Sequence, residues 1–225
     1  MGEYYKWVNI DKKEYIDPFS FDYGGKILNS SGCGNHCLRA LYELLSEEWQ
    51  GDRILFLGDY FELPEDPQSG VFKTVYEQAA KAGQSTKGFI FDFIEDYYRD
   101  VSCLFKAAEP YVKECIDNDI EHIKNGDSFG INRYRIDPEN PYEGLFLKEG
   151  RDFRFTVNHT KKVCYSSDSV RLFIDETEES GLDPLPLLLA CGDTSVPGPW
   201  LGDIIGVSDE IPEGYVLLKE FNFEW

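Results

Sequence analysis

Two aspartates occupy matching places in this chain. Asp52 lies in Trp49-Gln50-Gly51-Asp52-Arg53-Ile54 and Asp203 in Trp200-Leu201-Gly202-Asp203-Ile204-Ile205. Two carboxylates held close together split their pKa values and can serve as acid and base. Asp59 and Asp209, at the far ends of the strands that follow, offer a second pair of the same kind. The favoured reading of Asp52 and Asp203 is structural. The preceding glycine permits a tight turn, and the aspartate fastens it by accepting backbone N–H bonds. A second repeated element, Val-Asn-x-x-Lys-Lys, brings Lys12, Lys13, Lys161 and Lys162. Four lysines could hold an anion, but Asn and Lys are ordinary hairpin-turn residues.

Other chemistry-bearing residues are scattered. Cys33-Gly34-Asn35-His36-Cys37 has zinc-ligand types, yet His122 and His159 stand alone and no second Cys/His cluster completes a tetrahedral site. A cysteine at a helix start can be a nucleophile, but no cysteine-specific motif surrounds Cys33 or Cys37. Asp92, Glu95 and Asp96, set among aromatics with Tyr97 and Tyr98, form a candidate acidic-aromatic binding face. Phosphate loops, nucleophile elbows, zincin motifs and dinucleotide fingerprints are missing. No metal or cofactor is expected.

The two repeated elements recur in one order. Val8 to Trp49 spans 41 positions and Val157 to Trp200 spans 43. Glu62-Leu63-Pro64-Glu65 and Glu210-Ile211-Pro212-Glu213 extend the match. Such ordered self-similarity indicates an internal duplication. The expected fold class is α+β: two pseudo-symmetric β-rich modules, each hairpin–helix–strand, with a helical insertion between them. The modules are placed at residues 1–66 and 133–225 and the insertion at 67–132, within one compact unit.

Element by element, residues 3–17 read as a hairpin turning at Asp11-Lys12-Lys13. Residues 35–47 form an amphipathic helix with Leu38, Leu41, Leu44 and Leu45 on one face and Asn35 as its cap. A buried strand follows at 53–57. Helices are expected over 71–82, 89–98 and 101–124, the last kinked or restarted at Pro110. The second module should have strands at 144–148, 152–158, 163–166, 170–174, 204–207 and 215–223. Pro184 and Pro186 should leave only a turn or two of helix at 185–190.

Composition narrows the partners. There are 42 acidic against 22 basic side chains, a formal charge of −20. That opposes binding to nucleic acid, which requires phosphate-neutralising cations, and docking on anionic lipid. It permits a basic protein partner or mimicry of nucleic acid, beside the plainer reading of a solvated acidic surface. The first thirty residues hold no apolar signal core, no run is long enough to span a membrane, and the six cysteines are expected as free thiols in the cytoplasm.

The stretch Tyr4-Tyr5-Lys6-Trp7-Val8-Asn9-Ile10-Asp11-Lys12-Lys13-Glu14-Tyr15-Ile16, with Trp49 to Ile54 and Gly58-Asp59-Tyr60, resembles a family of uncharacterised bacterial proteins. The resemblance covers both modules at motif level and implies no activity. Three functions compete. The leading one is a non-enzymatic binding protein, of the immunity type that neutralises a basic protein partner through an acidic surface. The second is a carboxylate-dependent enzyme with its site between the modules. The third is a small-ligand sensor.

Overall fold

The computed structural model describes residues 3–63, 70–84, 90–125, 133–192 and 197–224. The chain opens with β1 (Tyr5–Asn9) and β2 (Glu14–Ile16), a hairpin whose turn places Lys13 at φ 58°. A short helix α1 (Ile27–Ser30) leads to α2 (His36–Ser46). The Asn35 side chain caps α2 by accepting from the Leu38 amide at 2.7 Å. The apolar face of α2 buries Leu38, Leu41, Leu44 and Leu45. Then come β3 (Ile54–Gly58), α3 (Gly70–Lys81) and α4 (Ile90–Tyr97).

The stretch after α4 departs from the expected helix over 101–124. It begins with a strand, β4 (Arg99–Asp100), passes through two 3-10 turns, and becomes helical only at α5 (Glu109–Asn125). Pro110 sits in the first turn of α5, where its missing N–H costs nothing. The expected strand at 144–148 is also not formed. Phe146 lies at φ 58°, and Lys148 makes only an isolated bridge to Phe105.

The second half holds β5 (Phe155–Asn158), β6 (Val163–Tyr165), β7 (Arg171–Ile174), β8 (Thr177–Glu179) and α6 (Leu185–Leu189). It ends with β9 (Ala190–Cys191), β10 (Ile205–Ser208), β11 (Val216–Leu217) and β12 (Glu220–Phe223). The fold is mixed α+β.

Three sheets result, with orders β4-β2-β1-β3-β9, β10-β5-β6-β11 and β12-β7-β8. Four strands of the first sheet and the four of the second follow one plan. β1 and β5 pair antiparallel with their hairpin mates and with β3 and β10. β4 and β11 lie parallel to β2 and β6. The registers agree: Val8 faces Tyr15 and Leu55, and Val157 faces Cys164 and Gly206. The fourth strands agree as well, since Arg99 N donates to Lys13 O at 2.9 Å and Val216 N to Lys162 O at 3.0 Å. An isolated antiparallel bridge between Arg53 and Ile204 joins the two sheets at the starts of β3 and β10.

One large core lies between the sheets and α2. It contains Trp7, Ile16, Trp49 and Phe56 from the first half and Tyr165, Leu188, Trp200 and Ile205 from the second. Because side chains alternate along a strand, Val8, Tyr15, Leu55 and Leu57 point to the other face of the first sheet. There α3 and α4 cover them with Val71, Val75, Ile90 and Ile94. The corresponding face of the second sheet, Phe155, Val157 and Cys164, packs with Tyr215 and Leu217.

Candidate functional site

The two repeated elements turn out to be halves of one device. Asn9 Nδ2 donates to Asp52 Oδ2 at 2.9 Å, and Asn158 Nδ2 donates to Asp203 Oδ2 at 2.8 Å. The asparagine oxygens accept from their own turns, from the Asp11 and Lys12 amides and from the Lys161 amide. Lys12 Nζ lies 3.9 Å from Asp52, and Lys161 pairs closely with Asp203. Gly51 and Gly202 take φ 81° and 87°, a region that penalises any Cβ. Where backbone N–H donors were expected, the donor to Asp52 and to Asp203 is an asparagine side chain from the other element.

The Arg53–Ile204 bridge sets the two turns side by side, while each carboxylate bonds within its own module. Asp59 and Asp209 do not converge. β3 and β10 run antiparallel from their bridged starts, so their far ends diverge. Asp59 accepts from the Tyr4 amide at 2.9 Å, and Asp209 is exposed.

The residues singled out on α4 divide between surface and core. Asp92, Asp96 and Tyr97 are exposed. Glu95 pairs with Lys6, a buried lysine that also contacts Asp17 at 2.8 Å. Tyr98 is buried, and its hydroxyl donates to Gln78.

A different cluster, which no sequence motif marks, joins the halves. Asp183 is 2 % exposed and sits just before α6. Tyr42, on the inward face of α2, and Tyr165, on β6, both donate their hydroxyls to it, Tyr165 at 2.5 Å. The Leu185 amide donates to the same carboxylate at 2.9 Å. The Asp183 amide in turn donates to Ser31 O at 2.6 Å, tying this loop to the segment before α2. Burial raises the pKa of Asp183, against the pull of the tyrosine and amide donors. Burial and then the Asp183 charge push both tyrosines well above their ordinary range.

This cluster forms one wall of a cavity of about 450 Å³, also lined by Cys33, Leu38, Asp152, Phe153 and Asp168. Asp183 is buried in the wall, Asp168 is exposed at the mouth, and Asp152 meets Arg39 at 3.3 Å. Burial, then the charges of Asp183, Asp168 and Asp152, push the Cys33 thiol up to about 11. At neutral pH it is a thiol and a poor nucleophile. Cys37 is buried, and all six cysteines are unpaired. No group of His, Cys, Asp and Glu among the described residues could hold a metal.

The sequence offered faint signals for this site. Tyr42 falls on the apolar face of an amphipathic helix, where a hydroxyl needs a partner. Asp183 directly precedes Pro184 and a short helix. Neither signal names its partner, because the partners are 141 and 18 positions apart.

Comparison with known proteins gave no match to any family model, curated protein or solved structure. No helix among the described residues is long and apolar enough to cross a membrane.

Proposed function

We propose that this chain is a non-enzymatic cytoplasmic binding protein that engages a basic protein partner through its acidic surface, in the manner of an immunity protein. A lysine or arginine side chain of the partner would enter the cavity beside α2. One observation carries the reading: three aspartates and no lysine or arginine line that cavity. Arg39 meets Asp152 and two tyrosines hold Asp183, so Asp168 at the mouth is the carboxylate a cationic partner would meet, on a chain already at −20. Such a field steers a cationic partner and speeds encounter. The chemistry of the lining also favours holding over turnover. Both Asp183 oxygens accept hydrogen bonds, and the Cys33 thiol stays protonated.

The test begins with capture of the partner from the native cell and its identification by mass spectrometry. Association of the purified pair is then followed as salt is raised. The rate should fall steeply, and Asp168→Lys, at an exposed position, should slow it further. An association indifferent to both salt and Asp168→Lys would overturn the reading.

One observation favours the carboxylate-dependent enzyme: Asp183 is a buried acid with a raised pKa beside a cavity at the junction of the modules. That alternative replaces the first if Asp183→Asn abolishes cellular function at unchanged stability while Asp168→Lys leaves function intact.

A further inference from the structure

On this strongly acidic chain the basic side chains are few, and three nitrogen-bearing ones meet at a second cavity. It has a volume of about 560 Å³ and is lined by Phe21, His36, Arg39, Phe105, Lys106 and Ala107, with Glu149 and Gly150 closing one side. It shares no lining residue with the aspartate cavity. The geometry points to a binding site for a small oxyanion that carries an apolar group, such as an aryl phosphate.

Each wall has a distinct part in this. Arg39 is positioned from two sides. The strip 149–151 lies against α2, where the Arg151 amide donates to Arg39 O at 3.2 Å. A Cβ on Gly150 would come within 2.8 Å of the Arg39 and Ala40 backbone, so only glycine permits this approach. Arg39 Nε is buried and makes no hydrogen bond. Its carboxylate neighbour, Asp152, is 3.3 Å away but misaligned for one. Only that nitrogen is buried; the side chain as a whole is 35 % exposed and ion-paired with Asp152, so a ligand oxygen in the cavity would add a well-aligned acceptor to a charge already partly offset. Arginine also matches phosphate and carboxylate oxygens through its planar fork.

Lys106 stands at the rim with its side chain about half exposed, paired at 2.6 Å with Glu149, whose side chain is 72 % exposed. An exposed pair of this kind is worth little. A bound dianion can therefore draw the ammonium inward while Glu149 returns to water. His36, the first residue of α2, adds a ring nitrogen. Phe21 and Phe105 back the cavity as buried core residues with ring centroids 6.1 Å apart, and half-buried Ala107 is the apolar side chain it exposes. The site would thus read charge on one side and apolar bulk on the other, the ordinary division of labour in small-molecule pockets.

The test is titration of the whole chain with phenyl phosphate and with inorganic phosphate, read by amide chemical shifts and by calorimetry. Phenyl phosphate should bind more tightly than inorganic phosphate, with the shifts centred on His36, Arg39, Lys106 and Gly150. Lys106→Gln should weaken it by at least about threefold, and Arg39→Gln by about tenfold or more. Lys106→Gln alters only an exposed side chain, so it serves even if Arg39→Gln loosens the Asp152 contact. Shifts scattered over surface lysines elsewhere would overturn the proposal. So would an unchanged affinity in Lys106→Gln, or equal affinity for the two phosphates.

Discussion

The two halves share a backbone plan and differ in what they bury on it. Lys6, Asp17 and Asp100 in the first module correspond by register to Phe155, Ser166 and Leu217 in the second. The first module therefore carries a buried ionic group under α4, where the second has an apolar face. On the opposite face the polarity reverses. Trp7 and Ile16 of the first module correspond to Thr156 and Tyr165, which belong to the Asp183 cluster. The shared turn of Asn, Lys, Gly and Asp thus sets strand order and register, and leaves the faces free to diverge. Insertion of α3 and α4 explains one half of the divergence. Those helices bring Glu95 to Lys6 and shield the lysine from water.

The largest expected effect comes from cutting the second module's polar cluster. Asp183→Ala removes the acceptor from two buried tyrosine hydroxyls and one amide, each left unsatisfied at about 1–3 kcal/mol. Denaturant unfolding should show a loss of about 3–5 kcal/mol, like that of Lys6→Ala, which strands the Asp17 carboxylate in the first module. A loss under about 1 kcal/mol for either would end the comparison of two buried polar faces.

The next effect is a pH dependence at one carboxyl of the first module. Burial, then the nearby Asp17 charge, raises Asp100 from an ordinary 3.8 to about 6. The folded chain holds this proton more tightly than the unfolded chain does. Its stabilisation is complete below about pH 3.8 and is lost as the pH rises through about 6. Asp100→Asn should remove this loss, gaining on the natural chain by up to about 3 kcal/mol between pH 4 and 7. Thermal unfolding curves that run parallel across that range would contradict it. The second module has Leu217 at this place, and its own buried acid, Asp183, lies on the opposite face in the tyrosine cluster.

The shared turn should respond alike in both halves. Asn9→Ala and Asn158→Ala each remove one bond to an aspartate and at least one to a turn amide, and each should cost about 1–3 kcal/mol. Equal losses would sharpen the case for one turn used twice, and a silent Asn9→Ala or Asn158→Ala would break it. The smallest effect is at the glycines. Gly51→Ala and Gly202→Ala both place a Cβ at positive φ and should each cost about 1 kcal/mol. The Gly202 change also brings its Cβ to 3.6 Å from Val71, an ordinary contact that adds no strain.

What sequence reasoning recovered is local. The hairpins, the Asn35-capped α2 and the eroded helix α6 follow from turn residues, apolar spacing and two prolines. It missed β4 because two residues carry no period; that strand exists only by pairing with β2. It read Gly144 to Lys148 as a strand from composition, whereas Gly144 and Phe146 both lie at positive φ. The Trp-x-Gly-Asp and Val-Asn-x-x-Lys-Lys elements were visible separately, but their side-chain bond spans 43 positions in one module and 45 in the other. The Asp183 cluster was not legible, since its members lie on separate elements and only the packing of α2 against the second sheet brings them together.

The bridge between Arg53 and Ile204 has a consequence for how such a molecule can change. If the modules were separate identical chains meeting about a two-fold axis, the residue at that contact would face its own copy. An arginine would then oppose an arginine, and every substitution would alter both sides at once. A single chain lifts that restriction. Arg53 faces an isoleucine, and its guanidinium turns aside to Asp11 and, at 3.1 Å, to Thr74 on α3. The self-facing position has become a private anchor for a helix that one half possesses and the other does not.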